Sequence, residues 1–111
     1  MKFLRKTALE TALFARFHQL YQAKGFPCAD LVNVLRRENT GGGRYTDLEC
    51  DAPVEMDDGY LDLAGGFIEM EGLPNGMMAV VQVKLGRLRL LELTVYGGDP
   101  WDGEERAWKI V

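Results

Sequence analysis

The residues with the most chemical potential are carboxylates gathered in the middle of the chain. Between Tyr45 and Val83 the sequence contains no lysine or arginine. The acidic residues of this window are Asp47, Glu49, Asp51, Glu55, Asp57, Asp58, Asp62, Glu69 and Glu71. Their electrostatic field is negative however the chain folds. Such a concentration of carboxylates suits either a divalent cation or a basic protein.

The cation alternative rests on a short stretch of the window. Asp47, Glu49 and Asp51 share one side of a predicted strand, and Asp57 and Asp58 follow in a nearby loop. Oxygen ligands of this kind suit calcium or magnesium. However, the spacing lacks the glycine and glutamate positions of the calcium-binding loop, and carboxylates on an alternating strand ordinarily face water. The sequence predicts no metal and no cofactor, and a small metal-dependent enzyme stays as an alternative function.

Nucleophilic catalysis has few candidates in this chain. There is no serine, and the only histidine, His18, lies beside aromatic residues within a predicted helix. A catalytic base also needs a positioned partner, which the sequence does not identify. Cys28 and Cys50 lack Cys-x-x-Cys spacing, so we expect tolerated or buried thiols rather than a zinc site or a nucleophile. The protein is therefore predicted not to be an enzyme.

Two helices are predicted ahead of the acidic window. Thr7 and Glu10 have the spacing of a capping box, and apolar residues at helical spacing continue to Tyr21. Apolar and charged residues over 31–38 predict a second, shorter helix. The glycines at 41–43 predict a flexible linker rather than a phosphate-binding loop, because a helix precedes them and a strand follows, the reverse of the required order.

After these glycines the apolar residues alternate, as in strands. The predicted extended segments are 46–51, 60–63, 67–71, 79–85 and 88–96. Gly65 and Gly66, between the second and third, predict either a bulge in one long strand, which we favour, or a tight turn between two. A turn is predicted at 73–76 from its proline, asparagine and glycine. The expected fold is a single α+β domain over 1–111, with two N-terminal helices packed on one face of an antiparallel sheet of about four strands.

Composition and charge limit the functional classes. With 47% apolar and 27% charged residues, the chain resembles an ordinary soluble globular domain. Residues 1–44 hold eight Lys/Arg against three acids, and residues 45–111 hold five against fourteen. The bases of the first part spread along a helix, so no direct nucleic-acid partner is expected. No uncharged stretch reaches the roughly 20 residues that span a membrane. We expect a cytoplasmic protein with reduced thiols and no membrane partner.

The last predicted hairpin resembles one found in small bacterial proteins of unknown function. The residues that carry this resemblance are Gly86, Arg87, Leu88, Leu91, Glu92 and Tyr96. The layout of two helices followed by a sheet is similar to that of some immunity proteins of toxin systems. The resemblance implies an acidic protein that inhibits a toxin by plugging its active site.

The sequence thus predicts a bacterial immunity protein, an inhibitor that occludes the basic active-site groove of a cognate toxin, with a nuclease as the expected toxin. Its acids would stand in for substrate phosphates, and Tyr45 or Tyr60 would fill a pocket of the partner. The predicted partner-binding residues are Asp47, Glu49, Asp51, Glu55, Asp57, Asp58, Tyr60 and Asp62. A structural homodimer is the other alternative, and the choice between monomer and homodimer stays open.

Overall fold

The computed structural model describes residues 2–111, which form one α-helix, seven β-strands and three short 3₁₀ turns. Helix α1 spans Ala8–Leu20. The strands are β1 (Asn33–Asn39), β2 (Gly43–Glu49), β3 (Gly59–Asp62), β4 (Ile68–Met70), β5 (Leu73–Lys84), β6 (Arg87–Val95) and β7 (Trp108–Ile110). No helix in this part of the chain is long and apolar enough to cross a membrane.

All seven strands belong to one antiparallel sheet. Its order is β1-β2-β6-β5-β4-β7, and β3 pairs with β5 as well. The long strand β5 makes this possible because β4 pairs with its first half and β3 with its second half. Strands β3 and β4 therefore run one after the other, in the same direction, along one side of β5. A turn closed by a hydrogen bond from the Gly66 amide to the Leu63 carbonyl, 3.0 Å long, separates them, so the favoured prediction of a bulge at Gly65 and Gly66 is wrong and the alternative of a turn is correct.

Helix α1 forms where the sequence predicts a helix. The Glu10 amide donates to Thr7 Oγ1 at 3.1 Å, and the Thr7 amide donates to Glu10 Oε1 at 2.9 Å, which completes the capping box. The apolar side of α1 packs on one face of the sheet. Its buried residues share the core with alternate residues of β5 and β6, among them Val81 and Leu91.

The opposite face of the sheet has no second layer among residues 2–111. The single core cluster takes Ala79, Val81 and Val83 from β5 and leaves out Val80, which points the other way. The thinnest dimension of the molecule is 21 Å, as expected for one sheet with one layer of helix and loop. One whole face of a large sheet is thus left to meet solvent or a partner.

The predicted arrangement of two helices on a sheet of about four strands is wrong, because the chain has one helix and is mostly sheet. The residues predicted as a second helix form a 3₁₀ turn at Ala29–Leu31 and then strand β1. A register shift between Val34 and Arg36 places apolar residues next to each other and imitates helical spacing. Arg37 follows on the core side, where its guanidinium binds Glu10 at 2.7 Å.

Two glycine-containing segments also differ from the prediction. The glycines at 41–43 are the connection of the β1–β2 hairpin and not a linker between a helix and a strand, because the Thr40 amide donates to the Gly43 carbonyl at 3.0 Å. The segment 73–76 opens strand β5 instead of forming a turn. The reversal occurs one residue earlier, at Gly72, whose φ of +88° suits glycine.

The segment between β6 and β7 is held to the β1–β2 hairpin by a buried arginine and by a backbone hydrogen bond from the Trp101 amide to the Gly41 carbonyl at 2.9 Å. Arg44 donates to Glu105 at 2.7 Å, to the Gly103 carbonyl at 2.6 Å and to Asn39 at 2.8 Å. Its guanidinium lies 4.7 Å from the ring centre of Trp101, which is 4% exposed. Trp101 therefore closes one end of the core, under an arginine that makes three hydrogen bonds.

Candidate functional site

Two rows of side chains cross the face of the sheet that points away from α1. Each row takes one residue from β1, β2, β6, β5 and β3, because register partners of antiparallel strands share a face. The first row is Glu38, Tyr45, Glu92, Val80 and Asp62, and the second row is Arg36, Asp47, Leu90, Gln82 and Tyr60. We call these ten residues the helix-free face.

The centre of the helix-free face is apolar. Val80 and Leu90 come from neighbouring strands in the middle of the sheet, and neither belongs to the core cluster. Tyr45 and Tyr60 stand on either side of them, 41% and 59% exposed. Tyrosine presents a large apolar surface and a polar tip at a small cost in side-chain entropy, which suits it to recognition.

Carboxylates surround this centre. Glu38, Asp47, Glu92 and Asp62 are the acids of the face, and Arg36 is its one base. Arg36 binds Asp47 at 3.1 Å, with its own side chain 72% exposed. Among residues 2–111 the other three carboxylates form no ion pair, and the field of the ten residues is negative, although the next register pair on this side of the sheet, Lys84 and Arg87, is basic.

The acidic field acts directly on a tyrosine of the face. The pKa of Tyr45 is raised above its ordinary value, mainly by the negative charge of Glu92, its register partner on β6. Glu38 and Tyr60 raise this pKa further. Because Tyr45 is exposed, neighbouring charge contributes more to the raised pKa than desolvation does. The phenol stays protonated and able to donate a hydrogen bond at neutral pH.

The structure divides the predicted binding residues into two groups. Asp47, Tyr60 and Asp62 lie on the helix-free face, and Glu49 continues the same side of β2, where it accepts a hydrogen bond from Asn33 at 2.9 Å. The others lie in the connection between β2 and β3: Asp51, Glu55, Asp57 and Asp58.

The connection from 50 to 58 uses some of these acids for its own structure. Asp58 accepts the Leu85 amide at 2.8 Å and so supports the turn between β5 and β6. The Glu55 amide donates to the Lys24 carbonyl at 2.7 Å, while its side chain stays exposed. These carboxylates do not belong to the rows of the helix-free face.

Six residues of the face were predicted neither as binding acids nor as aromatic anchors: Arg36, Glu38, Val80, Gln82, Leu90 and Glu92. Arg36 and Glu38 were hidden by the helix predicted over 31–38. The others follow from the pairing of β2 with β6 and of β6 with β5, which brings the outward residues of distant segments into one row. The sequence does show that Val80 points to the opposite side from Ala79 and Val81. Assigning Val80 to the uncovered face would also have required knowing which face α1 covers.

The histidine and the two cysteines, the other residues considered for catalysis or metal binding, are not part of this face. His18 Nδ1 lies 2.7 Å from the Phe26 carbonyl oxygen. Burial raises the pKa of the Cys50 thiol, which keeps it protonated and weakly nucleophilic. Cys28 is free and exposed. Among residues 2–111, no three His, Cys, Asp or Glu side chains are grouped so that they could hold a metal ion.

No protein family, curated protein or solved structure matches this chain, so its resemblance to immunity proteins stays a prediction.

Proposed function

We propose that this protein binds a basic protein through the helix-free face, and that it is an inhibitor of the immunity-protein type. One observation carries the proposal: the uncovered face combines an apolar, tyrosine-flanked centre with unpaired carboxylates around it. The bound surface of the partner would be the basic active-site groove of a bacterial toxin, and a nuclease is the expected class. The protein would act in the cytoplasm, where its two thiols stay reduced.

The chemistry of the face supports occlusion of a phosphate-binding groove. A nuclease groove presents arginine and lysine side chains to substrate phosphates, and carboxylates bind the same side chains through charge-assisted hydrogen bonds. Glu38, Asp47 and Glu92 would take these positions on three neighbouring strands. Tyr45 and Tyr60 would supply the buried contact that slows dissociation, while the charges speed association.

The charge of the face favours a basic partner over a second copy of this chain. In a two-fold dimer formed through this face, the carboxylates of one copy would oppose those of the other. The same sign disfavours nucleic acid as the direct partner. Light scattering tests this point, and we expect the mass of a monomer, 12.5 kDa. Twice that mass, lost when Val80 or Leu90 is changed to lysine, would favour the homodimer instead.

The decisive comparison uses two variants with the same change in net charge. The face variant carries Glu38→Gln, Asp47→Asn and Glu92→Gln. The loop variant carries Asp51→Asn, Glu55→Gln and Asp57→Asn. Both remove three negative charges, and all six side chains are outside the core. They differ in whether the lost carboxylates lie on the sheet or in the 50–58 connection, and the face variant also breaks the exposed pair of Asp47 with Arg36.

The experiment captures proteins from a lysate of the source cells with each tagged variant and assays the captured protein for nuclease activity. We expect the wild-type protein and the loop variant to retain a basic nuclease and to inhibit it at one-to-one stoichiometry. The face variant should neither retain nor inhibit it. A captured nuclease that stays fully active, or capture that does not depend on the face carboxylates, would contradict the proposal.

A further inference from the structure

A cavity of about 420 Å³ opens beside the first row of the helix-free face. It lies where the β3–β4 turn faces the start of β5 and the end of β6. The residues that give it its chemistry are Asp62, Gly66, Phe67, Asn75, Met78 and Tyr96. No lysine or arginine is among the residues that line it, and Asp62 is its one carboxylate.

The carboxylate of Asp62 is fixed in position by the turn that forms one wall of the cavity. Its Oδ1 accepts the Ala64 amide at 2.8 Å and lies 3.4 Å from the Tyr21 hydroxyl. Ala64 has a φ of +54°, a left-handed conformation that this bond helps to hold. Within residues 2–111 the other carboxylate oxygen, Oδ2, has no hydrogen-bond partner. Asp62 Oδ2 is therefore fixed in position and available to accept a hydrogen bond from a ligand.

The remaining walls suit a planar cation. Phe67 and Tyr96 supply aromatic rings, and Met78 supplies a polarizable apolar surface. Asn75 donates through Nδ2 to Asp99 at 3.3 Å, which leaves its Oδ1 as an acceptor. A guanidinium has five donors in one plane and stacks on aromatic rings, whereas an ammonium is a compact, strongly hydrated charge. An uncharged apolar group would cover Asp62 without pairing it.

We propose that this cavity binds an arginine side chain of the partner, with the guanidinium on Asp62 and its plane against an aromatic wall. The identity of the partner rests on the function proposed above, but the recognition of a guanidinium rests on the cavity itself. A neighbouring groove shares Phe67 and Asn75 with the cavity and carries Glu69, Glu71 and Lys109, with Lys109 opposite Glu69. The residues that flank the bound arginine would therefore meet two carboxylates and one ammonium.

The test uses three short blocked peptides of the form Gly-X-Gly, in which X is arginine, lysine or citrulline. Citrulline has nearly the shape of arginine without its charge. Each peptide is titrated into isotopically labelled protein, and the amide resonances are followed by NMR. We expect the arginine peptide to shift the signals of Gly65, Gly66 and the Asn75 side chain in a saturable way. The lysine peptide should bind more weakly, and the citrulline peptide should give no saturable shift.

Asp62→Asn is the matched variant, because an asparagine Oδ1 still accepts the Ala64 amide and preserves the turn. We expect its Kd for the arginine peptide to rise by about fivefold, the loss that removal of an exposed ion pair allows. Asp57→Asn, in the 50–58 connection, is the control and should leave this Kd unchanged. The peptide comparison on the wild-type protein needs no variant, so a folding defect in Asp62→Asn would not decide the result.

Equal binding of the arginine and citrulline peptides would overturn the proposal, as would equal binding of the lysine peptide or arginine-induced shifts confined to another surface. The outcomes separate this proposal from the proposed function. If the arginine peptide binds but no basic protein is captured, the arginine site is supported and the inhibitor function is contradicted. If capture depends on the helix-free face but the arginine peptide does not bind, the inhibitor function is supported and the arginine site is contradicted.

Discussion

Thr46 lies on the core side of β2 with its hydroxyl completely buried and without a hydrogen-bond partner in the structure. Its register neighbours are Arg37 on β1 and Leu91 on β6. The nearby charged groups are occupied with one another, since Arg37 binds Glu10. A buried hydroxyl without a partner costs about 1–3 kcal/mol relative to water. At the scale of single residues, removing this hydroxyl should therefore make the folded protein more stable.

We expect Thr46→Val to raise the free energy of unfolding by about 1 kcal/mol, because valine has nearly the same shape and no hydroxyl to desolvate. Urea denaturation measures the change. Thr94→Val is the control, since Thr94 is half-buried on the other face of the sheet and its hydroxyl is within reach of water. A lower stability of Thr46→Val would mean that the hydroxyl makes a bond in solution.

The pKa of Tyr45 reports the field of the helix-free face. It is raised, chiefly by the charge of Glu92. The folded protein therefore keeps this proton to a higher pH than the unfolded chain does. The associated stability is present below the ordinary tyrosine pKa and is lost as the pH rises through the raised value.

We expect Glu92→Gln to lower the pKa of Tyr45 towards its ordinary value, as measured by the ultraviolet absorbance of tyrosinate. A Tyr45→Phe background identifies which phenol is observed. Glu55→Gln, in the 50–58 connection, should leave the titration unchanged. An unchanged Tyr45 titration in Glu92→Gln would show that the two side chains are not neighbours.

At the scale of elements, the β1–β2 hairpin decides the architecture because it places strand β1 where a helix was predicted and pairs it with β2. Gly43 pairs with Thr94 of β6. A Cβ at Gly43 would collide with the Leu93 carbonyl oxygen, whereas a Cβ at Gly42 would meet nothing within 4 Å. Two adjacent glycines therefore make a matched pair for testing the register.

We expect Gly43→Ala to lower the free energy of unfolding by about 3 kcal/mol, a loss typical of overpacking a buried site. Gly42→Ala should change it by less than about 0.5 kcal/mol, because its Cβ enters open space. Urea denaturation of both variants provides the comparison. If the two substitutions had equal effects, β2 would not approach β6 as described, and the glycines would act as a linker after all.

The tether between Arg44 and the segment that precedes β7 offers a spectroscopic prediction. Arg44→Leu removes the partner of Glu105, which is itself 14% exposed, and should cost about 3 kcal/mol. In a Trp108→Phe background, the emission of Trp101 should move to longer wavelength as this side chain gains water. Arg106→Leu, which breaks an exposed pair with Asp102, should leave the emission unchanged. Unaltered Trp101 emission in Arg44→Leu would show that the arginine does not hold this segment.

Elements differ in how far local sequence determines them. Helix α1 was predictable, because its capping box and apolar stripe lie within the helix itself. The alternation in β2, β5 and β6 was equally visible. Strand β1 was not predictable, because its register shift breaks the period of two and because Arg37 reaches the core side only through a contact with Glu10, 27 positions away. Strand β7 has three residues and depends on β4 for all its pairing.

The candidate site was predictable only in part, for a related reason. Asp47, Tyr60 and Asp62 lie within segments whose alternation is local, so they were identified as outward-facing acids and an aromatic. Glu38, Val80, Leu90 and Glu92 join them only through long-range pairing. Asp51, Glu55, Asp57 and Asp58 were included because they are close in sequence, but the chain turns away from the sheet before it reaches them.

At the scale of the whole molecule, one helix covers one side of a seven-stranded sheet and leaves the other side to solvent. Val80 is 8% exposed although it belongs to no core cluster. Large uncovered sheet faces of mixed apolar and charged character mark sites of interaction. The charge of this face also implies that its binding weakens as salt screens the carboxylates. The central claim is therefore that the helix-free face, rather than the acidic connection, contacts the partner.

The measurement that tests this claim most directly is calorimetric titration of the captured partner with wild-type protein, the face variant and the loop variant. We expect the Kd of the face variant to rise by about a hundredfold or more, since three charge pairs at the contact are lost. The loop variant should stay within about threefold of the wild type, because general charge changes have small effects. A larger loss in the loop variant than in the face variant would contradict the account and move the binding site to residues 50–58.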